Sequence, residues 1–449
     1  MRHDLIAKYD QRVPRYTSYP TAPHFHPGVD ATRYRAWLGD LGAGTRLSLY
    51  VHIPYCDSLC WFCGCHTKIV RRYGPIARYL ESLGREIDLV ADAIGERLLV
   101  SHVHWGGASP TILTAEDVRG LAGRLRRRFA FAPETEFAVE IDPRGFTEAG
   151  VAALAEAGVS RASLGVQDVN PEVQRAVNRI QPVAETARLV GWLRAAGIEA
   201  INVDLMYGLP HQTVARVIAT VEAALDLAPD RIALFGYAHV PWMKRHQAMI
   251  DEAALPDAQG RIRQFEAAVA RLEAAGYRWL GLDHFARADD SLALAAREGR
   301  LHRNFQGYTT DDAPALIGLG ASAIGALPQG YVQNAVPIHA YRAAVDDGCL
   351  ASVRGIALTP EDRLRRAVIE HLMCERAVDL TAVAAAHERA GETFAAEIAA
   401  LAPMVADGLV AVTGARVTVL PAGYPLVRSV AAAFDAYLAT GERRHARAL

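Results

Sequence analysis

Four cysteines fall within ten residues, in the run Tyr50-Val-His-Ile-Pro-Tyr-Cys56-Asp-Ser-Leu-Cys60-Trp-Phe-Cys63-Gly-Cys65. They are four of the chain's six cysteines, spaced C-x3-C-x2-C-x-C. Thiols at this density need a reason. One tight loop can fold Cys56, Cys60 and Cys63 around a single small object. A cubane iron–sulfur cluster is held by cysteine thiolates, commonly four. Three ligands would leave one iron open to a substrate or cofactor. A structural zinc site is the second reading, although it would want two separated ligand pairs, and only His66 follows closely. Disulfides are not expected, because the other two cysteines, Cys349 and Cys374, stand alone in a chain of 449 residues.

Such a loop must be presented by a scaffold. Short apolar runs predict strands over Leu47–Ile53, Leu99–Trp105, Glu136–Ile141, Ser160–Val166, Glu199–Leu205 and Arg231–Gly236. Amphipathic stretches between them predict helices over Ile76–Ala93, Ala115–Phe129, Glu148–Ala157, Pro171–Val177, Ala184–Ala196 and Val214–Leu227. Strands alternating with helices in this way form a parallel sheet, here curling into a partial βα barrel short of a closed eight. The cysteines follow the first strand, and Gly106 and Gly107 follow the second. Glu140 ends the third, Gln167 follows the fourth, and Asp204 lies near the end of the fifth. Active sites of parallel barrels lie at the C-terminal ends of the strands. These residues are therefore expected to share one site.

Around that core, residues 1–45 read as an irregular, aromatic-rich arm or lid. The barrel with its extension spans 46–345, and residues 356–449 read as a small, mainly helical domain. Gln259–Ala275 is expected to be helical and Arg278–Leu282 a strand. In the last domain, helices are expected over Glu361–Met373 and Val430–Leu438, with β-like runs such as Ala415–Leu420. The net charge of −2, with no basic tract, gives no sign of a nucleic-acid partner. No apolar run reaches the ~18 residues that cross a bilayer, and the start does not read as a signal peptide. A soluble, cytoplasmic monomer is expected.

Three cysteines at C-x3-C-x2-C after an apolar strand are the signature of radical S-adenosylmethionine (SAM) enzymes. The longer string from Tyr50 to Cys65 resembles one branch, the oxygen-independent coproporphyrinogen III oxidases. Other blocks resemble that family in the same order. They are Arg15-Tyr-Thr-Ser-Tyr-Pro-Thr21, His104-Trp-Gly-Gly, Glu140-Ile-Asp-Pro-Arg144, Gly165-Val-Gln-Asp168 and Val177-Asn-Arg179. Asp204-Leu-Met-Tyr-Gly-Leu-Pro210, Tyr237-Ala-His239 and Leu301-His-Arg-Asn-Phe-Gln-Gly-Tyr-Thr-Thr310 follow.

The resemblance implies an open three-quarter barrel, a [4Fe-4S] cluster on Cys56, Cys60 and Cys63, and two molecules of SAM. Cys65 matches a cysteine that is not a ligand but marks the branch. Gly106-Gly107-Ala108-Ser109-Pro resembles a G-G-G-T-P stretch against the cofactor, departing from it at Ala108 and Ser109. Glu140 matches a contact to the first SAM, and Gln167, Arg179 and Asp204 match contacts to the second. Phe62, Ala238 and Ile324 match apolar contacts to the pair. Tyr50 and His52 share one face of the first strand by its period of two, and beside a cluster they would orient cofactor or substrate. Arg15 and Arg303 are the candidates for the substrate's carboxylates, because guanidinium pairs with carboxylate through two parallel bonds.

Without the resemblance, each residue also has a bland reading. Gly106-Gly107 reads as a turn, Glu140 as half of a salt bridge, and the apolar residues as core packing. The implied reaction removes carbon dioxide oxidatively from the ring A and ring B propionates of coproporphyrinogen III, by way of a 5′-deoxyadenosyl radical. The product is protoporphyrinogen IX, in haem biosynthesis. Electron donor and acceptor are not identified. Two rival functions share the barrel: a haem-transfer protein, and a radical methylase or ring-opening enzyme acting on a tetrapyrrole. The cysteine at Cys65, the Arg15–Thr21 block and the second-cofactor residues set the chain apart from the haem-transfer relatives, and the full set of N-terminal and late blocks argues against the methylase.

Overall fold

Period-two apolar runs separated by amphipathic helices leave the middle of the chain one way to bury both surfaces. The computed structural model describes residues 11–438, together with Leu5, Lys8 and Tyr9. Six parallel strands succeed one another: β1 (Leu47–Ile53), β2 (Leu99–Gly107), β3 (Ala130–Ile141), β4 (Arg161–Gln167), β5 (Ala200–Tyr207) and β6 (Arg231–Gly236). Helices on the outer face connect them. Among these are α2 (Gly74–Ile94), α3 (Ala115–Arg128), α5 (Pro171–Ala176) and α7 (Val214–Asp226); α1 (Ala31–Gly39) precedes β1, and α4 (Glu148–Glu156) and α6 (Val183–Ala195) complete the series. Outward residues such as Leu49, Val103, Trp105, Val139, Leu164, Val203 and Leu234 pack against Leu83, Ile87, Leu125, Leu154 and Val221 in one core.

The sheet runs further than the sequence reading expects. After α8 (Ala258–Ala274), strands β7 (Tyr277–Trp279) and β8 (His284–Arg287) add antiparallel to β6, while β9 (Ala315–Leu319) adds parallel to the other side of β1. Three antiparallel strands continue from β9: β10 (Ile324–Leu327), β11 (Gly330–Asn334) and β12 (Ser352–Ala357). The order is linear, β12-β11-β10-β9-β1-β2-β3-β4-β5-β6-β8-β7, so the barrel stays open. The strand expected over Arg278–Leu282 ends at Trp279, because the chain turns back to pair with β8.

The inner face carries its charges at the floor, with smaller and apolar residues such as Ala138 and Ala233 above them. Ser48 pairs in register with His102, and His102 with Glu136. On that layer His102 meets Asp311 at 3.1 Å, Glu136 meets Arg161 at 3.2 Å, and Asp290 meets Arg231 at 2.8 Å. Two residues further along each strand, on the same face, lie Tyr50 and His104. Paired charges fill the floor, and the mouth is left for the site.

The terminal segments also differ from expectation. The first residues are not wholly irregular: α1 packs Tyr34 and Leu38 onto the barrel core. Tyr16 and Tyr19 instead join Leu364, Val368, Leu372 and Phe434 in a second core. After β12 comes α10 (Pro360–Glu375), followed by a three-stranded antiparallel sheet of β13 (Ala377–Asp379), β14 (Val410–Thr413) and β15 (Arg416–Val419). This unit is mainly helical, as expected, and the run expected at Ala415–Leu420 is the strand β15 of its small sheet. The helix expected over Val430–Leu438 is displaced to Val427–Ala431, with a 3-10 turn at Ala432–Phe434.

Candidate active site

The cysteine loop leaves β1 at the C-terminal end of the barrel. Cys60 is buried, Cys56 and Cys63 are partly buried, and Cys65 is exposed. All six cysteines are free thiols. Cys56 lies close enough to Cys63 and Cys60 to feel their charge, which adds to burial in pushing its thiol up to about 11. Arg144 Nη2 and Arg179 Nη1 each donate to Cys60 Sγ at 3.5 Å. Asp142 holds both guanidiniums; although burial raises this carboxyl, Arg144 and Arg179 outweigh it and hold it below the ordinary value. Two cations aimed at one sulfur suit a thiolate bound to an anionic cluster. Among the described residues, no three His, Cys, Asp or Glu groups close on a point of single-ion size. Cys56, Cys60 and Cys63 share one loop, near enough that the charges of Cys63 and Cys60 act on Cys56, and with the two guanidiniums on Cys60 this donor set suits one anionic cluster held by all three.

The wall beside the loop is built around two glycines. At Gly107, φ is 111°, and a Cβ there would lie 2.5 Å from the His52 ring. A Cβ on Gly106 would lie 2.7 Å from Glu140 Oε1. The absent side chains let His52 and Glu140 reach the mouth. Glu140 accepts from the Gly107 amide at 3.0 Å and from His104 Nε2 at 3.1 Å. The His104 ring stacks on Tyr50, with centroids 5.9 Å apart. Burial, reinforced by Glu140, keeps Tyr50 a phenol, and burial lowers His52 to about 4, so its imidazole is neutral. Tyr50 Oη therefore donates to His52 Nδ1 at 3.0 Å, and His52 Nε2 donates to the His66 carbonyl at 3.3 Å. Ala108 donates its backbone amide to Ile53, and Ser109 is buried with its hydroxyl on Thr111.

A second group lies on β4 and β5. Gln167, itself at φ 69°, and Arg179 both crowd the bare α-carbon of Gly165. Arg179 donates to the Gly165 carbonyl, and its Nε is buried without a partner among the described residues. An unused donor at this position fits a ligand acceptor. Asp204 accepts from Ser163 Oγ at 3.2 Å and from Asn202 Nδ2 at 2.9 Å. Burial, with the charge of Glu140, pushes Asp204 up to about 7.

The remaining sequence candidates are scattered. Phe62 packs near Val173, Val177 and Tyr237, Ala238 is exposed just beyond β6, and Ile324 packs near Phe25 and Tyr331 at the start of β10. Arg15 and Arg303 do come together, at the junction of arm and barrel. Arg15 pairs with buried Asp283 and lies over the Phe235 ring; Arg303 Nε donates to the Arg15 carbonyl, and its Nη1 is buried without a partner among the described residues. Burial pushes Asp283 up, but Arg15 and His284 outweigh it and hold the carboxyl well below its usual range. Arg428 clamps the same strand of arm, donating to the carbonyls of Pro14 at 3.1 Å and Val13 at 2.6 Å. His104, Asp142 and Arg144 lie within the sequence blocks but carry no role in the sequence reading. Ser163, Asn202, Asp283 and Arg428 have no local signal at all.

An open parallel barrel with a three-cysteine loop at its mouth defines a radical SAM protein. The Radical SAM superfamily matches residues 50–224, and the HemN C-terminal domain matches 358–426. The chain is 52% identical over its whole length to an oxygen-independent coproporphyrinogen III oxidase of Bradyrhizobium diazoefficiens, with both chains fully covered. A protein of the same name in Paracoccus denitrificans is 46% identical over 97% of this chain and 96% of that one. The solved coproporphyrinogen III oxidase HemN of Escherichia coli, described as a radical SAM enzyme, superposes with a TM-score of 0.91. It is 38% identical, and the match covers 95% of this chain and 100% of that one. The chain belongs to the oxygen-independent coproporphyrinogen III oxidase family.

Proposed function

We propose that this chain converts coproporphyrinogen III to protoporphyrinogen IX without oxygen, and that the residues described above divide the work as follows. The observation that carries the reading is the loop bearing Cys56, Cys60 and Cys63 at the barrel mouth, in a chain similar to these oxidases from end to end. A [4Fe-4S] cluster with SAM supplies hydrogen-atom abstraction by a 5′-deoxyadenosyl radical. Each propionate that loses a hydrogen atom from its β-carbon then loses carbon dioxide from its α-carbon and one electron, leaving a vinyl group.

Cys56, Cys60 and Cys63 hold the cluster, while Arg144 and Arg179 offset charge on the Cys60 sulfur. Glu140 and the backbone from Gly107 to Ser109 orient the first SAM. Gln167, Arg179 and Asp204 hold a second one, with Phe62, Ala238 and Ile324 as apolar contacts. Tyr50 and His52, one a phenol and one a neutral imidazole, position reactants without carrying charge. Cys65 serves turnover and not cluster binding. Arg15 and Arg303 take substrate carboxylates. The protein works as a cytoplasmic monomer with an external electron donor and acceptor, without nucleic acid or membrane. Among the described residues no helix is long and apolar enough to cross a membrane.

Anaerobic assay of reconstituted protein with reductant, SAM and coproporphyrinogen III tests the reading. Protoporphyrinogen IX is expected, with two 5′-deoxyadenosines and two carbon dioxides released per product. Haem binding and transfer without decarboxylation would sink it.

A further inference from the structure

The reaction takes in one electron per cleavage, and the donor must reach the cysteine loop from outside. Two of the loop's flanks are covered. On one, the segment 244–247 lies across it: Lys244 Nζ donates to the Cys65 carbonyl at 3.1 Å, His246 Nε2 to that of Cys63 at 2.7 Å, and Gln247 Nε2 to that of Phe62 at 3.1 Å. On the other, Asn178 Nδ2 donates to the Leu59 carbonyl at 2.8 Å, beside the two arginines on Cys60. The third flank is the short parallel pair of Tyr55–Cys56 with Lys68–Ile69. It borders a shallow pocket of about 530 Å³, closed on its far side by α9 (Ile338–Asp346). Thr67 on the pocket wall faces the Cys56 thiol.

The charge of this pocket is one-sided. Lys68, Arg78, Arg342, His66 and His339 line it, and among the described lining residues none is an aspartate or glutamate. Arg342 lies 3.7 Å from Asp346. Lys68 and Arg78 have no carboxylate partner among the described residues, and exposed Arg71 and Arg72 follow just beyond. Between the cations lie Pro54, Pro75, Val336 and Pro337. An apolar centre inside a charged rim is how a protein interface is built.

We propose that this pocket docks the electron donor, a small acidic protein that carries one electron. The donor loses one electron at this face for each SAM cleaved, and Thr67, which meets the Cys56 thiol, leads from the pocket to the cysteine loop. Rim charges chiefly set the rate of encounter and its salt dependence. This inference rests on the proposed function, which needs the electron.

Reduced flavodoxin, a small acidic flavoprotein, serves as the probe, with dithionite as a reductant that needs no docking. In the anaerobic holoenzyme, the double variant Lys68→Glu/Arg78→Glu should raise the KM for flavodoxin at least about tenfold and flatten its salt dependence. Calorimetric binding of flavodoxin should weaken by a similar factor, while dithionite-driven turnover stays unchanged. Arg342→Glu, on α9 and away from the cysteine loop, should show a smaller effect of the same kind. Unchanged flavodoxin affinity and salt dependence in both variants would overturn the proposal, as would competition by inorganic phosphate in place of the protein. A wild-type enzyme that makes no product with dithionite would overturn the function itself, and the calorimetry would still decide the docking.

Discussion

Asp204 is a site carboxyl whose charge changes near neutral pH. It lies on β5 inside the barrel, and burial together with Glu140 pushes it up to about 7. It is therefore about nine-tenths protonated at pH 6 and about nine-tenths ionised at pH 8. A second SAM brings a sulfonium and an ammonium, which only the ionised form attracts. Binding should be about tenfold tighter at pH 8 than at pH 6, or ~1.4 kcal/mol. Asp204→Asn keeps the size and one oxygen acceptor but removes the charge. Its second binding event should be independent of pH and weaker than that of the wild type even at pH 6. The fold responds in the opposite sense to the ligand: the raised value favours the neutral form, so the stability Asp204 lends is lost as pH rises from about 4 through 7. Anaerobic calorimetry between pH 6 and 8, in two buffers of different protonation enthalpy, counts both ligands and protons. One SAM per wild-type chain, or an Asn variant that keeps the wild-type pH dependence, would refute the reasoning.

Three further outcomes follow from the geometry. Glu86 is fully buried and accepts from Gly320 N at 2.6 Å, Asn334 Nδ2 at 2.6 Å and Tyr341 Oη at 2.7 Å, and burial pushes it up to about 7. Its stabilising neutral form is lost as pH rises from about 4.5 to 7, at most ~3 kcal/mol, so Glu86→Gln should flatten that part of the denaturation profile and Glu86→Ala should cost ~3–6 kcal/mol. Cys65→Ser should assemble a cluster with the wild-type spectrum yet lose turnover; a variant that binds no iron would make Cys65 a ligand. Arg428→Lys cannot reproduce the two-carbonyl grip on Val13 and Pro14, so the KM for coproporphyrinogen III should rise about tenfold while SAM cleavage without substrate is unchanged.

The six parallel strands were legible because their signals are local. Each apolar run and each amphipathic helix carries its own period, and β1 and β6 begin and end where that period does. The cysteine spacing is local too, and so is the position of Glu140 at a strand end. The helix α1 was missed although Tyr34 and Leu38 are buried, since nine residues among glycines and exposed charges give a weak period.

What the sequence by itself determined is the chemistry: three thiols on one loop, glycines and acids at strand ends, and the class of reaction they serve. Tertiary structure alone decided which distant residues complete that chemistry. Strand β9 pairs with β1 from more than two hundred residues away, and Arg144 and Arg179 reach Cys60 from two different loops. Asp283 meets Arg15 only because the arm folds back over the barrel, and the arm's backbone is held at Val13 and Pro14 by Arg428 beyond α10. The pocket beside the cysteine loop likewise needs α9 to close it. The physical reason is one of range. Local periodicity reflects forces between residues a few positions apart, whereas sheet order, register and buried charge pairing are set by the whole chain packing at once.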